Sequence, residues 1–216
     1  MDALGQFESA LPARTRRTIA RIRSPYQLQE FLLGIPYNAE ARNRSPLNVI
    51  LDKQAHCLDG GFLAALLLWK LGYPPLVVDL LPAPGTDDDH VLAVFRVAGH
   101  WGAVAKSNFL QLAFREPVYR SLRELVMSYF EHYFNLERQK TLRAYTRPMD
   151  LSHCREPGWA CDEAAANRLY ARFYRRRPIP LLGPRAAGNL NPINPRKFKA
   201  ELLDTDIHWV YGARQE

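Results

Sequence analysis

Cys57 stands in the stretch AHCLDGGFLAALLLWKLGY, residues 55–73, between a histidine and an aspartate and just ahead of a nearly unbroken apolar run. A thiol attacks carbonyl carbon as the thiolate, and the first turn of a helix favours that anion because its N–H groups are unpaired and its dipole is positive there. The same N–H groups can hold the oxyanion of a tetrahedral intermediate. A base must then reach the sulfur, and His90 in DDDHVLAVF opens a strand expected beside the helix. The competing reading is packing, since unpaired cysteines are among the most buried residue types.

The elements that must position these groups follow from pattern. Residues 58–71 are apolar almost all round, which predicts a helix packed on several sides, ended by Gly72 and by Pro74-Pro75. Three strand-like runs follow at 76–81, 90–97 and 100–107, with Ala98-Gly99 as a tight turn between the last two. A two-residue turn sets Ser107 opposite His90, and a three-residue turn sets Asn108 there. Leu122, Leu125, Val126, Tyr129 and Tyr133 recur at helical spacing and predict a helix over 121–135, with another at 162–176. Upstream, 14–34 predicts short helices broken at Ser24-Pro25, and 35–48 a surface loop leading into Val49–Leu51. The segment 175–198 is proline-rich and irregular, with a last short strand near Ile207–Tyr211.

Taken in order, Cys57-x-Asp59, a helix of alanines and leucines, LGYPPLVVDL, His90 opening a strand and Trp101 opening the next resemble the core of the transglutaminase-like superfamily, relatives of the papain-type cysteine proteases. The resemblance spans roughly residues 50–108. It implies an α+β fold in which a buried, cysteine-led helix packs on an antiparallel sheet, with additional C-terminal helices. It also implies a catalytic triad in which Cys57 is the nucleophile and His90 the base. The family's aspartate falls where this chain has Ala105, which cannot orient an imidazole. Asn108 is the candidate third member, with Ser107 as the alternative. The implied function is cysteine-dependent acyl transfer or hydrolysis of an amide or ester, needing neither cofactor nor metal. Its substrate is a peptide, a protein or a small amide or ester. A catalytically inactive domain that binds a peptide or protein is the alternative. A thiolate–imidazolium pair predicts rapid alkylation of Cys57 by iodoacetamide at pH 6, ahead of Cys154 and Cys161.

Composition sets the frame. At 216 residues with 47% apolar content, the chain suits one domain. The expected organisation is N-terminal helices and loop at 1–48, the core at 49–136, and a helical, proline-rich extension at 137–216 packed on it. Three widely spaced cysteines argue against a disulfide framework. With no apolar run ahead of the first arginines and no membrane-length segment, a cytoplasmic location without membrane contact is expected. The net charge of +7 gathers in arginines at 14–23 and 172–177. These are expected to be solvated helix faces, with nucleic acid not expected as a partner because no nucleic-acid signature accompanies them. Asp87–His90 is expected to be an acidic loop, and HCREPGWAC lacks a second pair of zinc ligands. Gln54 is a candidate oxyanion donor. Lys106 is expected to guide an acidic substrate or to pair with Glu116 and Glu124.

Overall fold

Capping residues set the first helices. In the computed structural model, which describes residues 2–213, Asp2 caps α1 (Ala3–Ala10) by accepting the Gly5 N–H at 2.8 Å. After α2 (Ala13–Ile19), Ser24 caps α3 (Pro25–Leu33), whose first residue is the proline that needs no N–H partner. The expected loop 35–48 ends early. Ser45 caps a further helix, α4 (Pro46–Asp52), again opened by proline.

Cys57 is the first residue of α5 (Cys57–Lys70), and every residue from Leu58 to Leu68 is buried. Gly72, at φ 91°, follows its end in the left-handed region, as expected. On one side Phe62 meets Trp159, Tyr170 and Phe173 edge-on, at ring separations of 6.2, 4.6 and 5.4 Å. On the other side α5 lies on a sheet.

That sheet contains β1 (Leu76–Pro82), β2 (His90–Val97), β3 (His100–Val104), β4 (Arg115–Tyr119), β5 (Leu142–Thr146), β6 (Met149–Asp150) and, after α7 (Glu163–Phe173), β7 (Pro178–Pro180). Its order is β4-β3-β2-β1-β5-β7, every pairing is antiparallel, and β6 pairs with β1. Val97 pairs with His100, so the turn has two residues. Ala98 and Gly99, at φ 48° and 84°, give it the positive dihedrals that match strand twist. The third strand stops at Val104 instead of 107 because the buried Gln29 side chain takes both the N–H and the C=O of Ala105, each at 3.0 Å. β5 and β7 arise in the expected extension, so the sheet runs through the 136/137 boundary.

Apolar spacing also overstates one helix. α6 covers only Leu122–Met127, and a 3₁₀ turn at Phe130–His132 follows. The chain then turns back, and the Tyr133 carbonyl accepts from the Thr141 N–H at 3.0 Å. α8 (Pro184–Gly188) and α9 (Pro195–Glu201) complete the helices, and the expected last strand is a 3₁₀ turn at Ile207–Trp209. Among the described residues, no helix is long and apolar enough to cross a membrane.

The sheet divides two cores. Val77, Val91, Ala93, Phe95 and Val104 face α5, while Val78, Leu80, Leu92 and Val94 meet Leu125, Val126 and Tyr129. The approach of α5 to the sheet depends on Gly60 and Gly61. A Cβ on Gly61 would lie 2.7 Å from Val91 Cγ1, and one on Gly60 would collide with Lys106 Cβ. Gly61→Ala is therefore expected to destabilise the fold by about 1–3 kcal/mol through overpacking, although alanine is the better helix former. Urea unfolding checks this, and an unchanged or raised midpoint would refute the tight contact.

Candidate active site

The sulfur of Cys57 sits at an open strand edge. β3 leaves β2 beyond the Ala93–Val104 pair, so the start of β2 has no partner from β3. Cys57 takes that place: its S–H donates to the Asp89 carbonyl at 3.6 Å, and the Val91 N–H donates to the sulfur. These two peptide groups flank His90, whose own ring lines a neighbouring cavity and not the one at the sulfur. The two glycines let α5 come this near.

His90 is 4% exposed, and its Nε2 lies 2.8 Å from the Leu112 carbonyl. A carbonyl only accepts, so Nε2 carries the hydrogen and Nδ1 keeps the lone pair of the neutral ring. The partner of the ring is thus a main-chain oxygen, where the Asn108 side chain was expected. Asn108 is engaged elsewhere: Nδ2 donates to the Asp206 carbonyl at 2.8 Å, and Oδ1 accepts the Asp206 N–H at 3.1 Å. Ser107 Oγ accepts the Phe109 N–H at 3.0 Å. Side-chain types carry no signal for Leu112, because every residue has a carbonyl and only the fold chooses which one meets the ring.

Electrostatics reverse the expected charge state. Burial pushes the Cys57 thiol well above its ordinary pKa, and the charges of Asp89, Asp88 and Asp79 add to the rise against the Val91 N–H. Burial lowers His90 to about 4, the Leu112 carbonyl opposes this, and the Arg115 cation lowers it further. The resting pair is therefore neutral thiol and neutral imidazole, and the helix-start effect is outweighed. Asp79 on β1, 1% exposed, is pushed up to about 9, first by burial and then by Asp89. The two carboxyls hydrogen-bond to each other through a shared proton, and the Tyr174 hydroxyl donates to Asp89 Oδ2 at 3.2 Å. Neither this pair nor Tyr174 was among the sequence candidates; an aspartate in the apolar strand LVVDLL was the available signal.

A raised thiol pKa gives a testable profile. With Cys154 and Cys161 replaced by serine, alkylation of Cys57 by iodoacetamide is expected to rise about tenfold per pH unit from 6 to 9. Asp88→Asn should shift that line to lower pH. A plateau of fast labelling at pH 6 would show the thiolate–imidazolium pair instead.

A cavity of about 190 Å³ opens at the sulfur, lined by Tyr37, Glu40, His56, Cys57, Asp89 and Tyr174 among others. Its loop wall is tied to α5 from below. Asp59, fully buried, accepts the Arg44 N–H at 2.8 Å, and its Oδ2 lies 3.9 Å from Arg44 Nη1 without a hydrogen bond. Arg44, also fully buried, holds Asp52 at 3.1 Å and pairs with Glu40, and the Tyr170 hydroxyl donates to its carbonyl at 2.7 Å. His56 caps α5 by accepting the Leu58 N–H on Nδ1 at 3.2 Å, so that N–H is already engaged. Gln54 Oε1 accepts from Asn38 at 3.0 Å, leaving its Nε2 group as the donor end. Lys106 is buried and donates to the Leu32 and Ile35 carbonyls at the end of α3, so it guides no substrate. Burial lowers its pKa to about 8.

No protein-family model and no curated protein matches the chain. Among solved structures, Legionella pneumophila LapG is similar in two structures, one of them EGTA-treated. Both match at 13% identity and TM-score 0.39, covering 54% and 53% of this chain and 75% and 76% of LapG respectively.

Proposed function

We propose that the chain is a cysteine-dependent hydrolase or acyltransferase of transglutaminase-like type, acting on an amide or ester through Cys57 with His90 as base. The observation that supports this reading is the sulfur's placement at the start of α5 against the peptide groups on either side of His90. The ring lines the adjoining cavity, with the Leu112 carbonyl holding Nε2–H and leaving Nδ1 its lone pair, so the approach of the sulfur to Nδ1 is itself part of the proposal. In the first step the Cys57 sulfur attacks the carbonyl carbon while its proton passes to Nδ1. The tetrahedral oxyanion forms at the start of α5, where Gln54 Nε2 is the side-chain donor. Collapse returns the Nδ1 proton to the leaving amine or alcohol and gives a thioester. Water or an amine then attacks the thioester, losing its proton to Nδ1 and releasing the product and the thiol.

Because His90 must be neutral to accept the proton, kcat/KM is expected to rise with pH through about 4 and to hold level across neutrality. A panel of fluorogenic peptides and aryl esters measured from pH 3 to 8 tests it. An ascending limb near 6.5 would place the base elsewhere. The raised thiol pKa favours a second reading, in which the same cavity binds a peptide without turning it over. Failure of p-nitrophenyl acetate to acylate Cys57 at any pH would select that reading.

A further inference from the structure

The segment 206–211 lies along the His90 side of the site. Asn108 holds both backbone groups of Asp206, donating to its carbonyl at 2.8 Å and accepting its N–H at 3.1 Å. A carboxamide matched in this way to one residue's main chain recognises peptide backbone whatever the side chain. Four positions on, Val210 is 3% exposed, whereas Ile207 is 43% exposed, so the aliphatic side chain that is seated is that of Val210. Trp209, Val210 and Tyr211 line a cavity with His90, Ser107 and Asn108, and it retains only about 40 Å³. That is room for little more than a water. The Trp209 and Val210 N–H groups bond back to Asp206 and Ile207 at 3.1 Å, which folds the segment onto itself as it fills the cleft.

We propose that the cleft beside His90 is a binding groove for peptide segments and that residues 206–211 of this chain occupy it as an internal competitor. The ligand class is a peptide whose backbone pairs with Asn108 and whose aliphatic side chain, four residues further on, fills the Val210 position. This narrows the substrate of the proposed reaction to peptide and rests on that reading for its chemistry, but its test needs no turnover.

The test uses the full chain carrying Cys57→Ala. Val210→Asp sets a carboxylate in a cavity that Asp87, Asp88 and Asp89 also line, and so expels the segment. Acrylamide quenching of Trp209, obtained by difference from Trp209→Phe, is expected to increase. A fluorescein-labelled peptide of residues 204–213 should bind the Val210→Asp chain at least about tenfold more tightly than the chain with Val210 intact. Adding Asn108→Ala should cancel that gain. Increased quenching without peptide binding would overturn the groove, and unchanged quenching in a folded chain would overturn the internal competitor. If Val210→Asp does not fold, Asn108→Ala alone replaces it: quenching should rise, and no rise overturns the proposal. Loss of cysteine chemistry leaves every one of these results unchanged, so the two readings fail separately.

Discussion

His90→Ala, in a chain with Cys154 and Cys161 replaced by serine, will slow acylation of Cys57 by p-nitrophenyl acetate on the order of 10²–10⁴-fold. The size of the loss follows from the charge states. The Cys57 thiol is held well above its ordinary pKa, so at neutral pH almost none is thiolate, and attack depends on a base that removes the proton as the bond forms. His90, lowered to about 4, is wholly in the basic form there. The variant also leaves the Leu112 carbonyl without its donor, costing about 1–3 kcal/mol of stability, so folding must be checked by circular dichroism. The decisive readout is the pH profile. The intact chain should show a limb near 4, and the variant should lose it and follow only the thiol's own ionisation. Cys57→Ala should abolish the stoichiometric burst. A folded His90→Ala chain that acylates at the original rate would remove His90 from the mechanism.

Arg44→Met is expected to cost about 3–5 kcal/mol, lowering the melting temperature on the order of 10 °C at neutral pH. Arg44 and Asp59 are both fully buried, and removing the cation strands a carboxylate that is already raised to about 7 by burial against Arg44's pull. A carboxyl whose folded pKa exceeds its unfolded one stabilises below the unfolded value and loses that contribution as pH rises through the folded one. For Asp59 in the intact chain, the loss runs from about 4 to about 7. Without Arg44 the folded pKa climbs further and the loss extends to higher pH. The gap between the two chains should therefore be small at pH 5 and large at pH 8, where Asp59→Asn in the same background should restore part of it. A gap independent of pH would show that the cost is lost packing alone. Because this pair ties loop 38–44 to α5, the variant should also loosen the cavity wall at Cys57.

Much of the frame was legible in the residues. The all-round apolarity of 58–71 marks a central helix because no solvent-facing stripe interrupts it, and every residue from Leu58 to Leu68 is buried. Ala98-Gly99 marks its hairpin because a two-residue turn needs positive φ at both positions. Ser24-Pro25 and Ser45-Pro46 carry the same capping signal, but the second lies inside a polar stretch that reads as loop. β4 and β5 escaped because REPVY and LRAYT are short and partly polar, and their pairing is supplied by distant strands.

The linear chain by itself determined the cysteine-led helix and the hairpin of His90, because these follow from periodicity and dihedral preference, which are local properties. Tertiary structure alone decided that Leu112 holds the imidazole, that Asn108 turns to Asp206, that α5 meets the sheet closely at Gly60 and Gly61, and that burial beside Asp88 and Asp89 keeps Cys57 protonated. Main-chain acceptors have no sequence signature, and a pKa is set by the burial and charge that distant segments bring to a group.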